Sequence, residues 1–306
     1  MQGTGEDFMS DTLSALSNAM AATVAQAGQH VVRVEARRRL PATGIVWSGD
    51  GIIVTSNHVV RRDDRIHVGL PNGDSLPATL VGRDPTTDVA VVKVEASDLS
   101  AASWVSSEQL KVGHLVLALG RPGQTVQATL GVISALGDGW QTSGGGRIDR
   151  YLQTDVVMYP GFSGGPLVGA GGQVAGLNTS GLLRGVSMAL PSETIARVVN
   201  TLLTHGRVRR GYLGVGAQAA KLPHDVAEAV GQETGLLLVS VEEGSPAQEG
   251  GLTVGDIIIA VDNESVQNLG NLLSMLTGDR VGKTALIGIV RGGQPQELPV
   301  TIGERE

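Results

Sequence analysis

Cysteine is absent from the 306-residue chain, which removes disulfides, thiol nucleophiles and thiolate metal sites together. Charge is sparse as well. Charged residues make up 17% and hydrophobic ones 41%, the balance of a soluble globular chain and not of a disordered polyelectrolyte or a membrane bundle. The 23 basic residues are outnumbered by 30 acidic ones, for a net charge of −7, which argues against general nucleic-acid binding because phosphate contacts need a basic surface. The run Arg37, Arg38, Arg39 reads as a solvated strand end. No apolar run approaches the roughly 20 residues of a transmembrane helix. The opening stretch MQGTGEDFMSDTLSALSNAM has no basic n-region and no long apolar core, so it does not read as an export signal. On that ground the chain as written is expected in the cytoplasm, and in the periplasm or beyond only if such a signal has been removed. Neither G-x-x-x-x-G-K-[ST] nor H-E-x-x-H occurs, so no nucleotide, metal or other cofactor is implied.

What is present suggests two domains, the natural division for this length. Leu13, Leu16, Met20 and Val24 mark one amphipathic helix over 10–27, with Ser10 as its N-cap and Gly28 at its end. From 31 to about 190 short β-branched runs alternate with glycine turns, among them HVVRVEAR, GIIVTSN, RIHVGL, DVAVVKVE, HLVLALG and QVAGLNT. Such spacing argues for antiparallel sandwiches or barrels and not for alternating β-α units. The face Ile195, Val198, Val199, Leu202, Leu203 predicts a helix after Pro191, stopped by Gly206. The first domain therefore spans 1–206 and a basic linker 207–210. A second domain over 211–306 has strands at 213–217, 236–241, 257–261, 285–291 and 297–302 and a helix at 268–277. No internal repeat is evident, and GWQTSGGGR (139–147) reads as a mobile loop.

The stretch PGFSGGP (160–166) surrounds Ser163 with three glycines and two prolines, the make-up of a shaped loop. Six histidines occur, and His58 stands at the end of an apolar strand. Asp88 opens another. Singly each has an ordinary explanation: a turn, a structural histidine, a strand-initiating cap. Jointly they supply nucleophile, general base and orienting acid from the ends of three strands. Gly161 to Gly165 also fits G-x-S-x-G, but that elbow needs a helix after the serine and a histidine last in order. Pro166, Gly169, Gly171 and Gly172 forbid the helix, and His58, Asp88, Ser163 run in the chymotrypsin order.

TSNHVV, DPTTDVAVVKV and TDVVMYPGFSGGPLV with the following GLNTS resemble the HtrA/Deg branch of chymotrypsin-fold serine proteases, and the resemblance covers nearly the whole chain. It implies a mainly β protein: a chymotrypsin-like double β-barrel, then a C-terminal PDZ domain. It further implies an ATP-independent endopeptidase acting on unfolded or damaged proteins and assembled as a homotrimer or higher oligomer. Carried over, Ser163 is the nucleophile, His58 the base and later the acid, Asp88 the group fixing the His58 tautomer, and the amides of Gly161 and Ser163 the oxyanion hole. Phe162 and the Met158-Tyr159-Pro160 run depart from the family pattern. Phe162 cannot make the ion pair that activates trypsin-like zymogens, so activation is expected through loops 138–150 and 180–186, with Arg147 as relay. Val157, apolar where a tryptic enzyme needs an acid, predicts with Met158, Leu177, Asn178 and Thr179 an apolar substrate pocket suited to Val, Ala or Leu.

GYLGV (211–215) resembles a PDZ carboxylate-binding loop, and GSPAQEGGLTVGDIIIAVDNESV (244–266) the PDZ segment from a short helix into a core strand. Tyr212, Leu213, Gly214 and Val215 are the expected loop for peptides with apolar C-termini. The N-terminal helix either packs on its own barrel or mediates trimer contacts through Phe8 and Met9. Two other functions fit the residues: a non-proteolytic chaperone or peptide scaffold whose oxyanion hole does not form, and an esterase for small acyl esters.

Overall fold

A computed structural model describes the backbone of residues 4–304 and, Asp279 aside, the side chains from Asp11 onward. The side chains of Phe8 and Met9 lie outside the described residues. The chain divides into two compact units, one of residues 1–142 and 147–207, the other of residues 143–146 and 208–306.

In the first unit helix α1 (Thr4–Ala27) leads into a closed barrel. Its strands are β1 (Val31–Glu35), β2 (Ala42–Ser48), β3 (Ile52–Ser56), β4 (Ile66–Gly69), β5 (Ser75–Asp84) and β6 (Val89–Val94), neighbouring in the order β1-β2-β3-β6-β5-β4. β3 is buried along its whole length and β6 is buried except at Lys93, which is why both read as continuous β-branched runs and not as alternation. A second closed barrel uses β7 (Leu115–Gly120) and β8 (Gln127–Gly137), then β11 (Tyr151–Thr154), β12 (Pro166–Gly169), β13 (Val174–Thr179) and β14 (Ser187–Pro191). Between β8 and β11 stands a small hairpin of β9 (Trp140–Gln141) and β10 (Arg147–Ile148). The stretch read as a loop is thus partly paired, with the Trp140 ring edge-on to Tyr151 at 6.3 Å.

The second barrel closes in the order β11-β14-β13-β12-β7-β8, which, counted from its own first strand, is the 1-2-3-6-5-4 order of the first. The architecture is duplicated although no sequence repeat is visible, because a barrel interior asks only for apolar side chains at inward positions. Met20 and Val24 of α1 pack on Leu117, Leu119 and Val168 of this barrel, whereas Leu13 and Leu16 are exposed. Helix α2 (Ser192–His205) ends at Gly206 in the left-handed conformation, as its glycine stop predicts. Its Glu193 accepts hydrogen bonds from the Ser106 hydroxyl and the Ser107 amide, both at 2.8 Å, in the segment that joins the barrels.

The second unit contains β15 (Gly211–Tyr212), β16 (Val215–Lys221), α3 (His224–Val230), β17 (Thr234–Val241), α4 (Pro246–Glu249) and β18 (Ile257–Val261). β19 (Glu264–Ser265), α5 (Leu269–Met275), β20 (Thr284–Arg291), β21 (Gln294–Thr301) and β22 (Gly303–Glu304) follow. The main sheet runs β16-β17-β18-β20-β21, so β16 is an edge strand. The strand expected at 213–217 begins instead at Val215, because Leu213 and Gly214 form the bend between β15 and β16. Asp256, buried ahead of β18, receives Arg291 in two bonds of 2.7 Å. Burial pushes its carboxyl up, but Arg291 and the Thr253 amide outweigh this and hold it below the usual carboxylate range. Among the described residues no helix is long and apolar enough to cross a membrane.

Candidate active site

His58 lies on a 3₁₀ turn (Asn57–Val59) immediately after β3, and Asp88 immediately before β6. Antiparallel pairing of β3 with β6 sets Ser56 opposite Val89. That register brings the two residues together across 30 positions. Asp88 adopts a left-handed φ of 59°, a conformation that Asp tolerates better than most side chains, and both carboxylate oxygens face His58. Oδ1 accepts the His58 amide at 2.8 Å and Oδ2 lies 2.7 Å from His58 Nδ1. The Thr179 hydroxyl donates a third, short bond to Oδ2. The carboxylate is almost fully buried while the imidazole is about a quarter exposed. With Nδ1 carrying the proton toward Asp88, Nε2 is the basic nitrogen left for chemistry.

Ser163 comes from the second barrel, on the loop between β11 and β12. The loop packs against the end of β3: a Cβ placed on Gly164 would fall 3.0 Å from the Ser56 amide. The Thr43 amide donates to the Ser163 carbonyl at 3.3 Å. The Ser163 hydroxyl lies 3.1 Å from the Ser180 hydroxyl, and no hydrogen bond joins it to His58 among the described residues. Both groups nevertheless border Thr179 to Gly181. A Cβ on Gly181 would sit 2.7 Å from His58 Nδ1 and from Asp88 Oδ2, so any side chain there would strike the pair.

The turn before the serine is more informative. The Phe162 amide donates to the Tyr159 carbonyl at 3.0 Å, closing a four-residue turn with Pro160 and Gly161 at its centre. Gly161 has φ of 95°, so this is a type II turn, with proline at i+1 and glycine at i+2 as that type favours. A type I turn would require φ near −90° at Gly161 and would invert the 160–161 peptide, bringing the Pro160 carbonyl to where the Gly161 N–H now points. Among the described residues neither the Gly161 nor the Ser163 amide donates to a backbone acceptor.

Three supports hold the turn. The Gly161 carbonyl accepts the Thr43 hydroxyl at 2.7 Å, and that hydroxyl accepts the Arg121 amide at 2.8 Å. Arg121 is itself buried, its guanidinium spent on the carbonyls of Val31, Gln124 and Gly28, and burial draws its pKa below the usual arginine value. Phe162 is fully buried in the core of the second barrel and meets Tyr159 edge-on at 5.8 Å. An apolar anchor thus stands immediately before the serine.

The five pocket residues fall into two groups. Val157 is 56% exposed and Met158 packs against the barrel core. Leu177, Asn178 and Thr179 are buried. The Asn178 amide group holds the Pro166 carbonyl at 2.8 Å, and Thr179 serves Asp88. Arg147 is largely exposed, 3.3 Å from Asp149, and its carbonyl accepts Arg197. In the second unit Tyr212 reaches Glu242 through its hydroxyl, Leu213 is buried, and the Leu213 and Gly214 carbonyls accept the amides of Ala247 and Glu242 at 2.8 Å. Val215 then opens the edge strand.

Residues 42–177 match the family model for the trypsin-like peptidase domain, and 211–302 that for the PDZ domain. The chain is 37% identical over 279 residues to a probable periplasmic serine endoprotease, DegP-like, of Chlamydia pneumoniae, covering 88% of this chain and 56% of that one. It is 39% identical over 269 residues to the protein of the same name in Pseudomonas putida strain GB-1, covering 85% and 55%. Among solved structures, the HtrA-type protease AlgW with tripeptide superposes with a TM-score of 0.73 at 32% identity, covering 94% of this chain and 97% of that one. The serine endoprotease from Yersinia pestis gives 0.75 at 31%, covering 93% and 97%. The chain belongs to the HtrA/Deg family of serine proteases. It spans about half the length of the curated HtrA/Deg relatives it matches. Their names correct one expectation: they are called periplasmic, which overturns the cytoplasmic assignment. That assignment rested on a missing leader pattern, and a leader is read by the export machinery without leaving a trace in the folded domain.

Sequence reasoning missed Thr43, Arg121, Ser180 and Gly181. Ser180 is the last residue of the recognised GLNTS and Gly181 follows it, both at the start of the 180–186 loop, but neither was singled out for the site. Thr43 and Arg121 gave no signal, since their partners lie 118 and about 90 positions away.

Proposed function

We propose that this chain is an ATP-independent serine endopeptidase of protein quality control, cleaving unfolded or damaged proteins in the periplasm. The observation that carries the reading is the type II turn that leaves the Gly161 and Ser163 amides without a backbone acceptor beside a preformed His58–Asp88 pair. Ser163 Oγ turns from Ser180 toward His58 as substrate enters, since catalytic hydrogen bonds in an empty site are often completed only in the complex. His58 Nε2 takes the hydroxyl proton as Oγ attacks the scissile carbonyl, and the two amides receive the developing oxyanion. His58 then returns the proton to the leaving amine, and water repeats the sequence to hydrolyse the acyl-enzyme. Asp88 keeps the proton on Nδ1 throughout and stabilises the imidazolium.

Val157 and Met158 support an apolar pocket selecting Val, Ala or Leu before the cut. The protease module occupies 1–206 and the PDZ module 211–306, joined by 207–210. In the PDZ module a peptide with an apolar C-terminus adds beside edge strand β16, its carboxylate at Tyr212 to Val215. Exposed Leu13 and Leu16 on α1 support a homotrimer. A scaffold without catalysis would call for the inverted 160–161 peptide, which the Pro-Gly pair disfavours. Digestion of β-casein by the wild-type chain beside Ser163→Ala, with cleavage sites read by mass spectrometry, tests the reading. Cutting after aliphatic residues that falls by about 10⁴-fold or more in the variant is the expected result, and no digestion by the wild type overturns it.

A further inference from the structure

The chain carries a net charge of −7, yet five arginines gather around one cavity of the first unit. Arg37, Arg38, Arg61, Arg62 and Arg65 line a space of about 580 Å³ with Asp64 as the lone acid, a size within the range of small-ligand sites. Asp64 lies 3.4 Å from Arg65, and Asp63 outside the cavity is taken by Arg83. The Arg37 and Arg61 guanidinium groups are turned to backbone, the carbonyls of Leu40 and His58. Among the described residues Arg38 and Arg62 have no carboxylate partner. The cluster is therefore under-neutralised. Its strain shows at Arg37, which burial and the neighbouring charge of Arg61 pull below the usual arginine pKa.

Its location decides its use. One wall, 61–65, begins three residues after His58 and is tied to it through the bond from Arg61 Nε to the His58 carbonyl. It is also tied to the other wall, since the Arg61 amide donates to the Ala36 carbonyl at 2.9 Å. That other wall, 37–40, runs into Pro41, whose carbonyl would lie 3.0 Å from a Cβ on Gly161. The candidate pocket for the residue before the cut, Val157 and Met158, belongs to the second barrel. The leaving amine takes its proton from His58, on the first barrel, so the chain beyond the cut runs over the elements that border His58. Those elements carry the arginines.

We infer that this cavity is a subsite for acidic side chains of the substrate, Asp or Glu a few residues after the cleaved bond, bound by Arg38, Arg62 and Arg65. The assignment rests on the endopeptidase reading above. A carboxylate entering it gains charge-assisted hydrogen bonds and relieves the repulsion among the guanidinium groups. It gives the protease a preference on the leaving-group side that the apolar pocket does not supply.

Two quenched-fluorescent peptides test this. Both carry Val before the cut and share all residues on that side; one has Glu at the second and third positions after the cut, the other Gln. The wild-type chain is expected to cleave the Glu peptide with kcat/KM about tenfold higher at low salt, the scale of a hydrogen bond to a charged group. The advantage should collapse in about 0.5 M salt, where screening is short-ranged, and in Arg38→Gln/Arg62→Gln, whose turnover of the Gln peptide should equal wild type. Equal cleavage of both peptides by the wild type at low salt, or an advantage that survives in the variant, overturns the subsite. If the double variant loses both activities through misfolding, Arg65→Gln at its exposed position takes its place, with the advantage expected to fall about threefold. Calorimetric binding of inorganic phosphate with no Glu preference assigns the cavity to free anions and also overturns the subsite. Failure of the wild type to cleave even the Gln peptide instead removes the endopeptidase reading, and the subsite with it.

Discussion

The two barrels share one strand order but deliver their parts of the site in different ways. In the first, β3 and β6 are paired, and the ends of a hydrogen-bonded ladder place His58 and Asp88. In the second, the equivalent pair β11 and β14 places no such couple; Ser163 sits on the long connection between β11 and β12. Both His58 and Ser163 follow the third strand of their barrel. The ladder fixes the proposed acid-base pair at 2.8 and 2.7 Å, whereas the serine hydroxyl faces Ser180 and the amides proposed as oxyanion donors are set by a turn. Register is a rigid device because slipping it by one residue inverts every side chain. The turn is held instead by individual contacts, the Thr43 hydroxyl on the Gly161 carbonyl and the buried Phe162 ring, so the serine side of the site depends on a few side chains where the His58–Asp88 side depends on a ladder.

The sharpest break of this contrast is Asp88→Asn. It keeps the size of the side chain but lets His58 take the wrong tautomer, and kcat for an aliphatic peptide is expected to fall about 10⁴-fold with the fold intact by circular dichroism. On the other barrel Gly161→Ala puts a Cβ 2.6 Å from Pro122 at a φ of 95°. Loss of one oxyanion donor is expected to lower kcat by about 10²–10³, and a crystal structure of the variant should show the 160–161 peptide inverted. Thr43→Val spans the barrels: it removes the hydroxyl between Gly161 and Arg121 while filling the same volume. The expected loss is about tenfold to a hundredfold in kcat with little change in KM, since misplacement of catalytic geometry by a fraction of an ångström acts on the chemical step.

Acid provides the mildest test. Burial pushes the Glu193 carboxyl up, but hydrogen bonds from its own amide, the Ser107 amide and the Ser106 hydroxyl together hold it below the ordinary carboxylate range. A folded value below the unfolded one, about 4.3, gives a contribution that is complete above the unfolded value and lost as pH falls through the folded one. Urea unfolding of wild type and Glu193→Gln is therefore expected to differ by on the order of 1 kcal/mol at neutral pH, with the gap closing below about pH 4. A gap that persists at pH 2 would show that Glu193 does not clamp the connection between the barrels through its charge.

Much of this was legible in the sequence. The β-branched runs at 52–56 and 89–94, the Pro191 and Gly206 limits of α2, and the order His58, Asp88, Ser163 follow from local chemistry and one known arrangement. Phe162 was read as unable to pair with an amino terminus; that it anchors the turn by burial needed the core around Gly120, where any Cβ would meet its ring at 2.4 Å. Leu177, Asn178 and Thr179 sit on the strand foreseen, yet all are buried in β13. The N-terminal helix, Thr4–Ala27, begins before the Ser10 cap and the 10–27 span that its apolar stripe predicts.

The sequence by itself determined the local items: which segments are strands, where glycine and proline shape a loop, and which three residues have the chemistry of a triad. These depend on backbone propensities and side-chain types within a few positions, which a single chain displays openly. The tertiary structure alone decided which groups meet. The Ser56–Val89 register, the Arg121–Thr43–Gly161 chain, the turning of Ser163 to Ser180 and the gathering of five arginines beside His58 each join residues far apart in sequence. Closing a barrel fixes those distances through hydrogen-bonded register and packing, and neither leaves a mark on the residues it brings together.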